Sequence, residues 1–248
     1  MNGILARQLA IDYCCSVDDV TGKSNVFSVF EPLDGRRRWK DDGDRPFSMC
    51  AVNGKLLFTG REDIISKVRE HYAEEGAEWS FEYKALRKLD DILHEFGCGI
   101  KMAHPFYISE EKSEAKDPGT DIRIYRDGEI EQFRGDGRWD EAFYFAENAP
   151  DRIGIAAVLN GEIIGMAGAS EDSPTMRQIG INVLPGFRGK GIAEYLVTTL
   201  KNMILDEGYL PFYGTSMSHL ASQRVALSAG FRTAWTELTA EKIKNTEE

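Results

Sequence analysis

The stretch that most restricts what this chain can fold into is Ile179–Leu200, IGINVLPGFRGKGIAEYLVTTL. An apolar run from Ile179 to Leu184 stops at Pro185-Gly186, and Arg188-Gly189-Lys190-Gly191-Ile192-Ala193 follows. Directly after it Ile192, Leu196, Leu200 and Met203 recur at helical spacing, with Val197 and Ile204 beside them. The pattern predicts a strand feeding a glycine-rich turn that opens a helix. The first N–H groups of a helix have no partner inside it, and the helix dipole adds partial positive charge there. Glycines let backbone close in on an anion, so such a turn suits a phosphate or pyrophosphate, with Arg188 and Lys190 adding charge. The spacing is neither GxGxxG nor a Walker A loop. The plainer alternative is an ordinary strand–turn–helix.

The order Arg-x-x-Gly-x-Ala, just after a strand ending near a proline, resembles the acetyl-CoA pyrophosphate loop of the GNAT superfamily of N-acetyltransferases. A second segment, His219-Leu220-Ala221-Ser222-Gln223-Arg224-Val225-Ala226-Leu227-Ser228-Ala229-Gly230-Phe231, looks like that family's following helix and its closing Gly-Phe. Gly230 suits a helix C′ position, where positive φ is cheap for glycine. Together the motifs cover roughly Asp121–Leu238 and leave the first part of the chain unexplained.

The resemblance implies site residues. Backbone amides around Ile181, Asn182 and Val183 would hold the pantetheine arm and the acetyl carbonyl; the plainer reading is ladder pairing. Arg188, Gly189, Lys190, Gly191, Ile192 and Ala193 would wrap the pyrophosphate, against exposed charge at a helix start. Many members carry a tyrosine, the general acid for the thiolate, where Ala226 stands. Ser222 matches instead the ribosomal-protein acetyltransferase type, in which a serine is the proton donor; otherwise it is a small residue packed near the sheet. His219 takes the usual asparagine position, as cofactor-binding or catalytic residue or as a surface histidine. The strand RQIGINV has no glutamate to serve as general base, so Glu162, Glu171, Asp172 and the N-terminal half stay open. Tyr213 is either a cleft-lining residue or a buried strand tyrosine.

Composition bounds the rest. The 248 residues allow one large or two small domains, and 42% hydrophobic residues are normal for a globular chain. No apolar run reaches membrane-spanning length, and MNGILARQLAIDYCC lacks the basic start and long apolar core of a signal peptide. We therefore expect a cytoplasmic protein with no membrane partner. Cys14, Cys15, Cys50 and Cys98 form no CxxC pair and no histidines cluster with them, so no metal is expected and the thiols read as buried and reduced. A net charge of −11 disfavours nucleic acid and weakly favours a cationic amine.

Along the chain, Ile4–Cys14 reads as a helix and Ser16-Val17-Asp18-Asp19 as a cap for another. Asn25–Phe30 has strand composition. Asp34–Arg45 is charged; Arg36-Arg37-Arg38 make an anion-binding loop conceivable, but Asp41, Asp42 and Asp44 favour a solvated surface loop. Phe47–Val52 and Lys55–Thr59 flank Asn53-Gly54 as a type I′ hairpin. Helices are expected over Arg61–Tyr72 and Phe81–Phe96, and a strand within Gly97–Tyr107. Glu110–Thr120 is polar and holds Pro118-Gly119, the best boundary candidate. A hairpin is expected across Asp127-Gly128, a helix over Arg138–Asn148, and another hairpin across Asn160-Gly161. Cys50–Leu57 faintly echoes Ala156–Ile164: either a degenerate duplication or two similar Asn-Gly hairpins.

The expected architecture is α/β (α+β): a GNAT-like mixed, mostly antiparallel sheet flanked by helices over 121–248, preceded by a second α/β domain over 1–115 that shapes the acceptor pocket. The expected activity is transfer of an acetyl group from acetyl-CoA to a primary amine of an unidentified acceptor, a small molecule in preference to a protein, with a homodimer left open. The alternative is a non-catalytic acyl-CoA-binding regulatory protein.

Overall fold

The computed structural model describes residues 1–37 and 46–243. It is a mixed α/β structure with mostly antiparallel strands and flanking helices, and it divides into two compact units. One comprises Met1–Phe106 and the chain from Ala234 on; the other is Tyr107–Thr233. This differs from a cut within Glu110–Thr120, for two physical reasons. The last strand pairs Thr236–Thr239 antiparallel with Ser48–Ala51, which returns the C-terminus to the first unit. The polar segment is also tied into the second unit. Fully buried Lys201 donates from Nζ to the Glu111 carbonyl at 2.8 Å and to Ser113 Oγ at 2.7 Å. Asn202 brackets the Ser113 backbone through both ends of its amide.

In the first unit α1 (Gly3–Asp12) and α2 (Val17–Thr21) precede β1 (Val26–Val29), β2 (Phe47–Val52) and β3 (Lys55–Gly60). Then come α3 (Glu62–Tyr72), α4 (Tyr83–His94) and most of β4 (Cys98–Ile108). Asn2 caps α1, and Ser16 with Asp19 forms a reciprocal capping box on α2. Asn53 and Gly54 both have positive φ, as a type I′ turn requires. Phe47, Met49, Leu56, Phe58 and Leu238 meet Ile64, Val68, Leu89 and Leu93 in one apolar core.

The expected solvated arginine loop needs correcting at Arg37. That side chain is buried between Asp12 and Glu237, at 2.5 and 2.7 Å, with its guanidinium 4.8 Å from the Trp235 ring centroid. Burial disfavours its charge, and the two carboxylates more than offset this, so its pKa is raised. Residues 38–45, including Arg38 and the three aspartates, lie outside the described residues. Cys50 and Cys98 are buried, Cys14 and Cys15 partly so, and all four are free thiols. No helix among the described residues is long and apolar enough to cross a membrane.

The second unit begins in β4 and holds β5 (Asp121–Arg126), β6 (Asp151–Leu159), β7 (Glu162–Glu171) and β8 (Met176–Val183). These are followed by α5 (Ile192–Asp206), β9 (Leu210–Gly214), α6 (Leu220–Ser228) and the start of β10 (Arg232–Lys242). Strand order is β9-β8-β7-β6-β5; only the β8–β9 pair is parallel. Helix α5 connects that pair and buries Ile192, Leu196, Val197, Leu200 and Ile204 against Ile155, Ala157, Ala167 and Ile179. Each such side chain is worth about 1.5–3 kcal/mol when buried.

Two local expectations fail here. The Asp127-Gly128 turn is not a hairpin: Asp127–Phe133 is a 3₁₀ helix, because Ile130 and Phe133 turn inward onto Trp139 and Phe143. Arg138–Asn148 is not a helix: it has one 3₁₀ turn at Gly137–Trp139, then irregular chain with a bridge between Ala146 and Ala149. Trp139, Ala142 and Phe143 are buried at spacing that mimics a helix face. Phe143 N keeps a helical bond to the Trp139 carbonyl at 3.0 Å, but three other backbone donors are taken by side chains. Asn182 Oδ1 accepts from the amides of Glu141 and Ala142 at 3.0 and 2.8 Å, and Asp151 Oδ2 accepts from Phe145 N at 2.8 Å.

The loop can lie so close to the sheet because Gly168 and Gly180 face each other across β7 and β8. A Cβ at Gly180 would sit 1.8 Å from the Glu141 carbonyl oxygen, and one at Gly168 would sit 2.0 Å from that of Ala142. Gly168→Ala and Gly180→Ala should each destabilise the protein by about 1–3 kcal/mol, since backbone must move. Gly128→Ala and Gly137→Ala, whose Cβ would meet nothing within 4 Å, should stay within about 0.5 kcal/mol. Urea unfolding midpoints of the four variants check this.

Candidate active site

The site is built on β8. Along Arg177–Val183 one edge of this strand is paired with β7 throughout. The other edge pairs with β9 only at Met176–Gln178. From Ile179 to Val183 that edge therefore offers backbone N–H and C=O groups to something other than β9, and such groups need a partner when removed from water. Ile181 and Val183 turn toward the core under α5. Asn182 turns to the opposite face, where its side chain holds the 140–142 loop and donates from Nδ2 to Asp140 Oδ1 at 3.2 Å. Of these three sequence candidates, Asn182 thus has a side-chain role that the sequence did not indicate.

Beyond Val183 a 3₁₀ turn at Pro185–Phe187 leads into Arg188–Ala193. Gly189 and Gly191 have φ of 75° and 82°, so side-chain-bearing residues there would be strained, and space around both Cβ positions is open. Gly191 is the N-cap of α5 and supplies no side-chain cap. A cap is worth about 1 kcal/mol. The buried stripe of α5 outweighs that, so the helix forms while its first amides stay available. Arg188 is exposed and donates from Nε to the Val183 carbonyl at 3.0 Å. Lys190 is exposed, with Nζ 5.0 Å from the Phe187 ring centroid. Ile192 begins the buried stripe, and Ala193 is half-buried in the first turn.

On β9 and α6 two further candidates meet. The Tyr213 hydroxyl lies 2.7 Å from Ser222 Oγ. Tyr213 is buried against Phe231. Burial pushes its phenol pKa up, the bond to Ser222 partly offsets this, and the charge of Glu141 adds to the rise. The phenol is thus held protonated. Ala226, one turn after Ser222, is fully buried in the core. His219 is the exposed N-cap of α6; its side chain caps nothing and stays outside the Tyr213–Ser222 bond.

The carboxylates that the sequence left open have other partners. Glu171 pairs with Arg152 at 2.6 Å and Arg177 at 3.6 Å, and Asp172 accepts from Ser170 Oγ at 2.7 Å. Glu162 opens β7 beside the Asn160-Gly161 turn and is exposed. The sequence reading missed the 140–144 loop, which brings Asp140 and Glu141 to the face of β8 carrying Gly180 and Asn182. The DEAFY string carries no motif; only its partners forty residues on reveal it. Among the described residues no group of three or more histidine, cysteine or acidic side chains is arranged to hold a metal ion.

Comparison with known proteins agrees with the motif resemblance. Residues 121–231 match the sequence model of the Acetyltransferase (GNAT) family. Among solved structures, a GNAT-family protein from Novosphingobium aromaticivorans has a TM-score of 0.44 and 18% identity, over 58% of this chain and 66% of that one. This chain thus spans just under two thirds of that protein. A GCN5-related N-acetyltransferase-like protein from Streptococcus suis has a TM-score of 0.47 and 13% identity, over 85% and 89%. A GCN5-related N-acetyltransferase from Kribbella flavida has a TM-score of 0.47 and 12% identity, over 86% and 91%. No curated protein matches the sequence. By the family match and the strand–turn–helix that carries its motif, residues 121–231 are an acetyltransferase domain of the GNAT family.

Proposed function

We propose that this protein transfers an acetyl group from acetyl-CoA to a primary amine by direct attack. The observation that carries the reading is the parting of β8 from β9 after Gln178, immediately upstream of an uncapped helix start with two left-handed glycines. That arrangement fits an extended arm ending in a pyrophosphate. The free edge of Ile181, Asn182 and Val183 would bind the pantetheine amides and polarise the acetyl carbonyl. The amides from Gly189 to Ala193 would take the pyrophosphate, with Arg188 and Lys190 adding charge. Acetyl-CoA supplies the activated acyl group and a thiolate leaving group.

Tyr213 and Ser222 are assigned to the departing sulfur. A buried, protonated phenol hydrogen-bonded to a hydroxyl can deliver one proton as the thiolate leaves. This gives Tyr213 the role that a tyrosine at the position of Ala226 plays in many family members, with Ser222 holding its hydroxyl. A non-catalytic acyl-CoA-binding module would share the loop but would have no use for that pair.

Two sets of measurements test the proposal. Gly191→Glu places a strained side chain and a negative charge at the helix start. Calorimetry should find CoA binding lost while the far-ultraviolet circular dichroism is retained; unchanged affinity would remove the loop from cofactor binding. In steady-state kinetics Tyr213→Phe should lower kcat and kcat/KM together by about 10²–10⁴-fold, with the KM for acetyl-CoA nearly constant. Ser222→Ala, which deletes a hydrogen bond of about 1 kcal/mol, should cost only several-fold. A normal kcat in Tyr213→Phe would take the pair out of the chemistry, and a raised KM alone would make it a cofactor contact.

A further inference from the structure

The acetyl-transfer reading leaves open how a cationic amine arrives neutral at the acetyl carbon. Resting on that reading, we infer that Glu141 is the catalytic base: its carboxylate receives the acceptor as an ammonium ion and takes its proton.

The placement of Glu141 is fixed from three sides. Its amide donates to Asn182 Oδ1 at 3.0 Å. Its carbonyl oxygen rests where a Cβ of Gly180 would be, 1.8 Å from that position. Asp140 before it is tied to Asn182 Nδ2, and Phe143 after it is packed in the core with Trp139. Glu141 is therefore seated over the part of β8 whose opposite edge is free of β9, beside the proposed position of the acetyl carbonyl. Its side chain is exposed and, among the described residues, makes no hydrogen bond or ion pair. After burial and the Ser222 bond, its charge is a further influence on the Tyr213 phenol, whose pKa it raises. The charged and titratable groups that feel it are Tyr144 on its own loop, beside Asp140, and Tyr213 on β9; the polar side chain bonded to its backbone is Asn182 on β8. Among the described residues no arginine or lysine pairs with Glu141, which suits a cation.

The step balances. The ammonium gives one proton to Glu141, which returns it to solvent. The freed nitrogen lone pair attacks the acetyl carbonyl carbon, and the C–N bond forms as the C–S bond breaks with its electron pair on sulfur. The Tyr213 hydroxyl protonates the sulfur, and the second nitrogen proton restores the phenol. The products are the amide, CoA thiol and one proton in solvent. A protonated amine is the substrate class this geometry selects.

The test compares two kinds of acceptor in wild type and Glu141→Gln, which keeps size and leaves the backbone clamp intact. Putrescine, lysine ethyl ester and phenethylamine are ammonium ions at neutral pH; O-methylhydroxylamine is uncharged there. With whichever charged amine the wild type turns over, Glu141→Gln should lose about 10²–10⁴-fold in kcat/KM, with CoA affinity by calorimetry unchanged. With O-methylhydroxylamine the loss should be less than tenfold, and Glu141→Asp should recover part of the activity with the charged amine. Equal losses with both acceptors, or activity within twofold of wild type, would overturn the role of Glu141 while leaving acetyl transfer intact. A wild type that binds CoA but acetylates none of the four probes would overturn acetyl transfer to amines, and this inference with it.

Discussion

The second unit depends on a strand pair that comes apart. Parallel strands joined by a helix ordinarily pair along their length, because an unpaired backbone group away from water costs about as much as a lost hydrogen bond. Here β8 and β9 pair for three positions and then separate. The separation is held by packing. Ile181 and Val183 belong to the cluster under α5, whose buried residues fix the helix on β6, β7 and β8. The helix itself can forgo a capping side chain at Gly191, since its buried stripe contributes several times what a cap would. The free strand edge and the open helix start thus have one physical cause, and the proposed cofactor path runs along both.

This explains what was legible in the sequence. The β8–turn–α5 unit is specified locally: apolar run, proline, two glycines, helical periodicity. So are the hairpins at Asn53-Gly54 and Asn160-Gly161, where both turn residues adopt the positive φ that those residue types tolerate best. Residues 138–148 were illegible for a matching reason. Their apolar spacing has helical period, but three of the donors a helix would use internally are claimed by Asn182 and Asp151, and the space they occupy exists because Gly168 and Gly180 lack side chains. Periodicity reports which residues are buried. It does not report which backbone partner wins when the competitor is about forty residues away.

Buried charge was illegible for a similar reason. Arg37 stands in a run of like and opposite charges that reads as solvated surface, yet its carboxylate partners lie 25 and 200 positions away. Lys201 falls inside an apolar helix face and is satisfied by a backbone carbonyl and a hydroxyl about ninety residues earlier. A buried charge is tolerable only when paired or hydrogen-bonded, and removing one partner of such a pair commonly costs 3–5 kcal/mol. These two residues therefore fix where Asp12, Glu237 and the 109–113 segment sit within their respective units. The boundary suggested by Pro118-Gly119 missed this, because composition alone cannot show that a polar segment has found internal partners.

The net charge of −11 is a weaker guide than its distribution along β8. Exposed charges more than about 8–10 Å apart are largely screened at physiological salt, so a ligand in the cleft responds to the groups beside it. Beyond the C-terminal end of the strand stand Arg188 and Lys190, two exposed cations next to a helix N-terminus. Over its middle stand Asp140 and Glu141, held by Asn182. A ligand with a polyanionic end is favoured at the first position and disfavoured at the second; a small cation is favoured in the reverse sense. Under the proposed reaction this polarity orients both substrates at once. It sends the pyrophosphate to the helix and the amine to the carboxylate, and it leaves the free edge between them to the neutral pantetheine arm. Under that reaction the same strand would set both the direction of the cofactor and the side from which the acceptor approaches.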